Sequence, residues 1–232
     1  MTNTIRKTLL PYLEQSVKEF YNLSKEELIK EIENCSKNTC NEWEKRKDIK
    51  SFYEETKSYI FGLIGFNTLE RIKTVTYPIK GTSNANILDF GAGIGELGMY
   101  FTEYNKVYYY DLECKSKEFA KFVSKKTKRP MIFIDNEEDV YKKKYDLIIL
   151  MDVLEHLENP LEITKKLINC INENGYLLTN GLSFVVKKEI PMHLPQNKPL
   201  NEHLITLLLE NFSLNFFHCT DDEPIYLWRK KK

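Results

Sequence analysis

Ile87-Leu88-Asp89-Phe90 is a short apolar run, and Gly91-Ala92-Gly93-Ile94-Gly95 follows it at once. No other stretch constrains the fold as tightly. The pattern predicts a strand, a tight turn and then a helix over Gly95–Tyr104. Glycines there permit backbone conformations closed to other residues and a close approach to a ligand, and the first amides of a helix face an anion or a polar ligand. Asp111 closes the next apolar run, 22 residues after Asp89. A carboxylate at that place can accept hydrogen bonds from ribose hydroxyls.

The chain beyond this motif keeps the same rhythm. Val107–Tyr110, Met131–Ile134, Asp146–Met151 and Tyr176–Thr179 read as strands, and Ser116–Lys126, Leu161–Asn172 and Leu200–Asn211 as helices. Asp146–Met151 is nearly unbroken in its apolar character, as in strands buried on both faces of a parallel sheet. Leu214–Phe217 and Ile225–Trp228 read as a closing hairpin. Strand–helix alternation implies right-handed crossovers. Residues 83–232 are therefore expected to form an α/β domain with a doubly wound, mostly parallel seven-stranded sheet.

Residues 1–82 differ in character, with few glycines and apolar residues every three or four positions. Ile5, Leu9, Tyr12, Leu13, Val17 and Phe20 form one helical stripe. Asn22-Leu23-Ser24 breaks it, and Ser24 with Glu27 three residues on reads as a capping box for a second helix. A third helix is predicted near Cys40–Lys47 and a long fourth over Ile49–Thr74, before a linker at Tyr77-Pro78 and Gly81–Asn84. This part reads as a helical cap or lid. Its aromatics, Tyr12, Phe20, Tyr21, Phe52, Tyr53, Tyr59, Phe61 and Phe66, sit at helical spacing, which favours core over an acceptor pocket.

The glycine run alone leaves two ligands open. Gly93-Ile94-Gly95-Glu96-Leu97-Gly98 also satisfies the GxGxxG pattern of dinucleotide sites. Asp89 just before the first glycine would repel a pyrophosphate, whereas it could hold a methionine ammonium. Taken with the later motifs, the chain resembles the class I S-adenosylmethionine-dependent methyltransferases over residues 87–232. Residues 87–95 resemble that family's first motif. Asp111 falls at its ribose position, with Leu112 at the residue flanking the adenine. Asp135 and Asn136, after the third strand, resemble the residues that meet the adenine amino group. Asp146 to Pro160 is similar to the fourth-strand motif, and Asn174 to Leu178 to the turn into the fifth strand. The resemblance implies a cofactor site formed by Asp89, Gly91, Ala92, Gly93, Gly95, Asp111, Leu112, Asp135, Asn136 and Asp152.

Asp152-Val153-Leu154-Glu155-His156 permits three readings. It can be a strand-end cap, with His156 hydrogen-bonded locally. His156 can instead lie at the carboxyl edge of the sheet and take a proton from a hydroxyl or ammonium acceptor. The O-methyltransferases of ubiquinone biosynthesis also resemble this stretch, through an acidic-x-x-Glu-His pattern associated with a divalent metal. Asp152 is shorter than the glutamate of that pattern, so no metal is expected. His193 is a second base candidate, in a Gly181–Leu200 segment whose Pro191, Pro195 and Pro199 suit an ordered loop over the acceptor.

Charge narrows the acceptor. Lys plus Arg and Asp plus Glu number 34 each, a balance that disfavours DNA and RNA as substrates. No Asn-Pro-Pro-Tyr-type motif follows the fourth strand, which disfavours the amino-methylating enzymes of nucleic acids. No apolar run approaches a membrane span, and charges interrupt Met1–Phe20, so a cytoplasmic location is expected. The expectation is a methyltransferase acting at oxygen or nitrogen of a small molecule. A protein or RNA methyltransferase and a non-catalytic cofactor-binding subunit are the alternatives.

Overall fold

The computed structural model describes residues 11–66, 68–180, 190–219 and 224–232. Ile5 and Leu9 of the first predicted helix, and residues 181–189 of the predicted acceptor loop, lie outside these. Seven strands form one sheet: β1 (Asn86–Phe90), β2 (Lys106–Tyr110), β3 (Ile132–Ile134), β4 (Tyr145–Leu150), β5 (Ile171–Thr179), β6 (Phe212–Cys219) and β7 (Pro224–Lys230). Their order is β3-β2-β1-β4-β5-β7-β6. The first five run parallel, and β7 pairs antiparallel with both β5 and β6. The order reverses between β1 and β4, the place where a doubly wound sheet opens a crevice at its carboxyl edge.

The helices are α1 (Pro11–Tyr21), α2 (Lys25–Glu44), α3 (Ile49–Glu55), α4 (Tyr59–Phe66), α5 (Leu69–Thr76), α6 (Glu96–Tyr100), α7 (Lys115–Thr127), α8 (Glu137–Tyr141), α9 (Pro160–Cys170) and α10 (Asn201–Asn211). The Ser24–Glu27 capping box forms as expected: Glu27 N donates to Ser24 Oγ at 3.2 Å, and Ser24 N donates to Glu27 Oε2 at 2.7 Å. The second and third predicted helices are one, α2, because nothing between Lys25 and Glu44 interrupts the intrahelical ladder. The long fourth helix is instead three. Glu42 breaks it first, accepting from the Ser58 hydroxyl at 3.0 Å and from the Thr56 hydroxyl. Thr68 then caps α5, accepting from Arg71 N at 3.2 Å. α6 is shorter than Gly95–Tyr104, ending at Tyr100.

The cap and the sheet share a core. Leu13, Val17, Leu28, Ile32, Phe61 and Ile64 belong to the same buried cluster as Ile87, Ile94, Val107, Leu147 and Ile149. Phe20 of α1 meets the edge of Phe119 of α7 at 5.4 Å between ring centroids. The opposite face of the sheet is covered by α9 and α10 through Leu167, Ile168, Leu204 and Leu208. A third, small cluster joins Trp43 and Phe52 of the cap to Met192 and Leu194, which follow β5. That cluster fixes the cap against the segment that carries His193. No described helix is long and apolar enough to cross a membrane.

Candidate active site

The carboxyl ends of β1, β2 and β4, the cap helices and the segment 190–193 enclose a cavity of about 1470 Å³. Its floor is the glycine loop. Gly91 adopts φ +67°, and a Cβ there would lie 2.6 Å from Val153 Cγ2. Both facts demand glycine, since the left-handed region strains other residues and carbon atoms pack at about 3.5–4.0 Å. Gly91 N and Ala92 N both donate to Tyr110 O, at 2.9 and 3.1 Å, which ties the loop to the end of β2. Gly93 and Gly95 share the left-handed backbone.

Three carboxyl groups lie under and beside this loop. Asp89 is 3% exposed, and its Oδ2 accepts from Gly98 N at 2.8 Å. Burial, reinforced by neighbouring Glu96, pushes its pKa up to about 8. Burial likewise raises Glu96 to about 7. Asp111 accepts from Gly93 N at 2.6 Å and from Leu112 N at 2.7 Å, yet burial still lifts it to about 6. Burial disfavours the ionised form of all three, most at Asp89, so a cationic ligand placed among them would be welcomed.

Asp152, at the end of β4, is clamped. Its Oδ2 pairs with Arg71 of α5, and its Oδ1 accepts from Asn180 Nδ2 at 2.6 Å. Asp152 N in turn donates to Asn180 Oδ1 at 2.8 Å. Asp152 holds φ +54°, an uncommon conformation for a non-glycine residue that this clasp over-determines.

The structure brings together Asp89, Gly91, Ala92, Gly93, Asp111, Leu112 and Asp152 on the cavity wall, with His156 and His193 among them. Gly95 lies in the loop behind that wall. Asp135 and Asn136 are placed elsewhere. The Asp135 carboxylate is 73% exposed and ion-paired with Lys117 at 2.9 Å and Lys121 at 3.7 Å. Asn136 caps α8, accepting from Glu138 N at 3.0 Å. Glu137, the next residue, lines the cavity instead.

At the end of the cavity beyond β4, His156 Nδ1 lies 3.0 Å from the Tyr53 hydroxyl and 3.1 Å from the Met192 carbonyl. A carbonyl can only accept, so the proton belongs on Nδ1 and the lone pair on Nε2. Burial, then neighbouring His193, lowers the His156 pKa to about 4, which keeps the ring neutral near pH 7. The rings of His156 and His193 meet edge to face at 4.9 Å. His193 Nε2 is 4.0 Å from Glu155 Oε1. Buried Asn197 holds this corner by donating to Leu157 O at 2.8 Å and to the Leu154 and Glu155 carbonyls at 3.3 Å.

Sequence reasoning did not single out Arg71, Asn180 or Asn197 as members of the site, and it favoured core over acceptor pocket for Tyr53 along with the other cap aromatics. Tyr53, Tyr59 and Phe66 line the cavity, whereas Phe52 and Phe61 are core. Arg71 carried no local signal, since it stands between Glu70 and Ile72 with Lys73 two positions on, like any charged helix residue.

A family model described as a methyltransferase domain matches residues 66–196. No curated protein sequence matches the chain. Among solved structures, an O-methyltransferase family protein from Burkholderia thailandensis is similar with a TM-score of 0.57 and 10% identity, over 87% of this chain and 72% of that one. The N-methyltransferase NodS from Bradyrhizobium japonicum WM9, in complex with S-adenosyl-L-homocysteine, is similar with a TM-score of 0.53 and 15% identity, over 70% and 87%. The ribosomal protein L11 methylase from Lactobacillus delbrueckii subsp. bulgaricus gives a TM-score of 0.53 and 15% identity, over 70% and 78%. These likenesses concern the fold. The family match covers more than half of the chain, and with the glycine loop and the sheet order already described it settles the assignment: the chain belongs to the methyltransferase-domain family.

Proposed function

We propose that this methyltransferase moves a methyl group from S-adenosylmethionine directly to an oxygen or nitrogen of a neutral or cationic small molecule. The observation that carries the reading is the acidic floor of one continuous, capped cavity. Among the described residues, Glu70, Asp89, Glu96, Asp111, Glu137, Asp152, Glu155 and Glu158 line it, against Lys50 and Arg71. Such a surface suits a sulfonium and an ammonium, and it disfavours a nucleic-acid phosphate.

The residues fit the cofactor. The glycine loop runs left-handed at Gly91, Gly93 and Gly95 along the cavity, Asp111 follows β2 where ribose hydroxyls can be met, and Asp89 lies beneath with a carboxyl whose ionised form a cation would favour. The bound cofactor supplies an activated methyl on a good leaving group. The cap does the remaining work, holding the acceptor in line and keeping water out, and such alignment is worth an effective concentration of about 10⁵–10⁸ M. Tyr59, Leu63 and Phe66 offer the acceptor an apolar wall. His156 and His193 meet its polar end, and the unprotonated Nε2 of His156 can receive a hydrogen bond or a proton there.

The test uses S-adenosylmethionine carrying a deuterated methyl, incubated with the protein and a cell extract divided into small-molecule and macromolecular fractions. A mass-shifted product in the small-molecule fraction is expected. Label confined to protein or RNA would reverse the assignment of the acceptor, and no label in either fraction would count against turnover by the chain alone.

A further inference from the structure

Glu155, His156 and His193 come from two segments, the turn after β4 and the stretch after β5, and the donor atoms of all three lie within 4.8 Å of one another. We propose that they form a site for a divalent transition-metal ion at the acceptor end of the cavity, one that takes Zn²⁺ or Co²⁺ in preference to Mg²⁺. Two imidazoles and one carboxylate are a recurrent three-ligand set for such ions, leaving positions open for a ligand atom of the substrate. Magnesium prefers an all-oxygen shell that these residues do not offer.

A second observation, independent of the clustering, concerns the orientation of His156. A metal-binding imidazole characteristically donates its other ring N–H to a carbonyl or carboxylate, which fixes the tautomer and the ring plane. The Met192 carbonyl occupies that place against Nδ1, with the Tyr53 hydroxyl beside it, so Nε2 is the nitrogen that would ligate. The corner is also held from behind. Leu194 N donates to Glu155 O at 2.9 Å, and Asn197 grips the carbonyls of Leu154, Glu155 and Leu157. Asp152 takes no part, because Arg71 and Asn180 occupy its two carboxylate oxygens. The ligand set therefore differs from the acidic-x-x-Glu-His pattern noted in the sequence: His193 stands in for Asp152.

The His193 Nε2 to Glu155 Oε1 separation of 4.0 Å is wider than the roughly 3.4 Å expected for two ligands about 2.1 Å from one tetrahedral ion. Binding would draw that pair together by about 0.6 Å, and no pair, at 4.8 Å or less, by more than about 1.4 Å. The acceptor side of this inference rests on the proposed function. An ion here would meet the acceptor's oxygen or nitrogen and favour its deprotonated form, replacing direct contact between that atom and His156. Acceptors offering a hydroxyl able to ligate a metal become the preferred class.

The experiment titrates Co²⁺ into the untagged, metal-free chain, following visible d–d absorption and calorimetric heat, with Mg²⁺ as a comparison. Glu155→Gln and His193→Ala are titrated alongside, and His203→Ala, on the exposed face of α10, is the control. Each sample is also titrated with S-adenosyl-L-homocysteine to show that its cofactor site is folded. The expected result is one equivalent of Co²⁺ bound by the chain and by the control, with affinity lowered at least about tenfold in the two site variants. Absence of stoichiometric Co²⁺ binding, or binding equal in all variants, overturns the proposal. Cofactor product bound without Co²⁺ sinks the metal site alone, while Co²⁺ bound without cofactor product sinks the proposed function and leaves the metal site standing.

Discussion

Replacing Gly91 by alanine tests the glycine loop at its tightest point. Two separate penalties add. A left-handed backbone costs an L-residue about 1–2 kcal/mol. The new Cβ would also sit 2.6 Å from Val153 Cγ2 and 3.1 Å from Cγ1, so the loop and the turn after β4 must separate by about 1 Å. Overpacking of this kind costs about 1–3 kcal/mol. The total, about 2–5 kcal/mol, must appear in stability or in ligand binding. Taken wholly in stability, it lowers the melting temperature by about 4–20 °C at about 2–4 °C per kcal/mol for a chain of this size. Taken wholly in binding, it weakens S-adenosyl-L-homocysteine by about 30-fold to several thousand-fold. Calorimetry for affinity and thermal melts for stability, run on the same samples, apportion it. Val153→Ala removes both Cγ atoms, leaving Val153's Cβ position at an ordinary 3.4 Å. In a double-mutant cycle it should therefore restore about 1–3 kcal/mol of the Gly91→Ala loss, and the backbone part should remain. Gly91→Ala within about 0.5 kcal/mol of the parent by both readouts, or a cycle without coupling, would refute the steric account.

Two further outcomes follow from the charges. Asp89 binds its proton more tightly folded (about 8) than in an ordinary carboxyl (3.8), as does Glu96 (about 7 against 4.5), so their contribution to stability is complete at low pH and is lost as pH rises through the folded values. His156, lowered from 6.5 to about 4, acts the other way, but only below pH 6.5. The ligand-free chain should therefore melt at lower temperature at pH 8 than at pH 6.5, and Asp89→Asn should flatten that slope; parallel slopes in the two proteins would contradict the assignment. Arg71→Met removes the partner of a one-third-exposed carboxylate and should lower stability by about 1–3 kcal/mol, less than a fully buried pair would lose. Adding Asp152→Asn to Arg71→Met should cost little more, and additive losses measured by chemical denaturation would show that the two side chains act separately.

Much of the molecule was legible in its sequence because the signals were local. The strand–glycine–helix pattern at 87–100, the apolar run at 146–151 and the Ser24–Glu27 capping box each depend on residues a few positions apart. Where interactions span the chain, sequence reading fell short. The predicted Ile49–Thr74 helix is cut at Thr56–Ser58 by Glu42, whose carboxylate arrives from the preceding helix. Arg71 matters through Asp152, 81 residues away, and Tyr53 through His156, 103 away. Asp135 fits its motif position in the sequence. Lys117 and Lys121, four residues apart on α7, hold it at the surface.

The central claim is that the acidic, glycine-floored cavity binds S-adenosylmethionine, and calorimetric titration of S-adenosyl-L-homocysteine into the chain and into Asp111→Ala tests it most directly. The account predicts one saturable site in the chain and an affinity lower by about 10- to 100-fold in the variant, the loss of hydrogen bonds to a charged group worth about 1.5–3 kcal/mol. No saturable binding to the parent chain, or equal affinity in the two proteins, would contradict it.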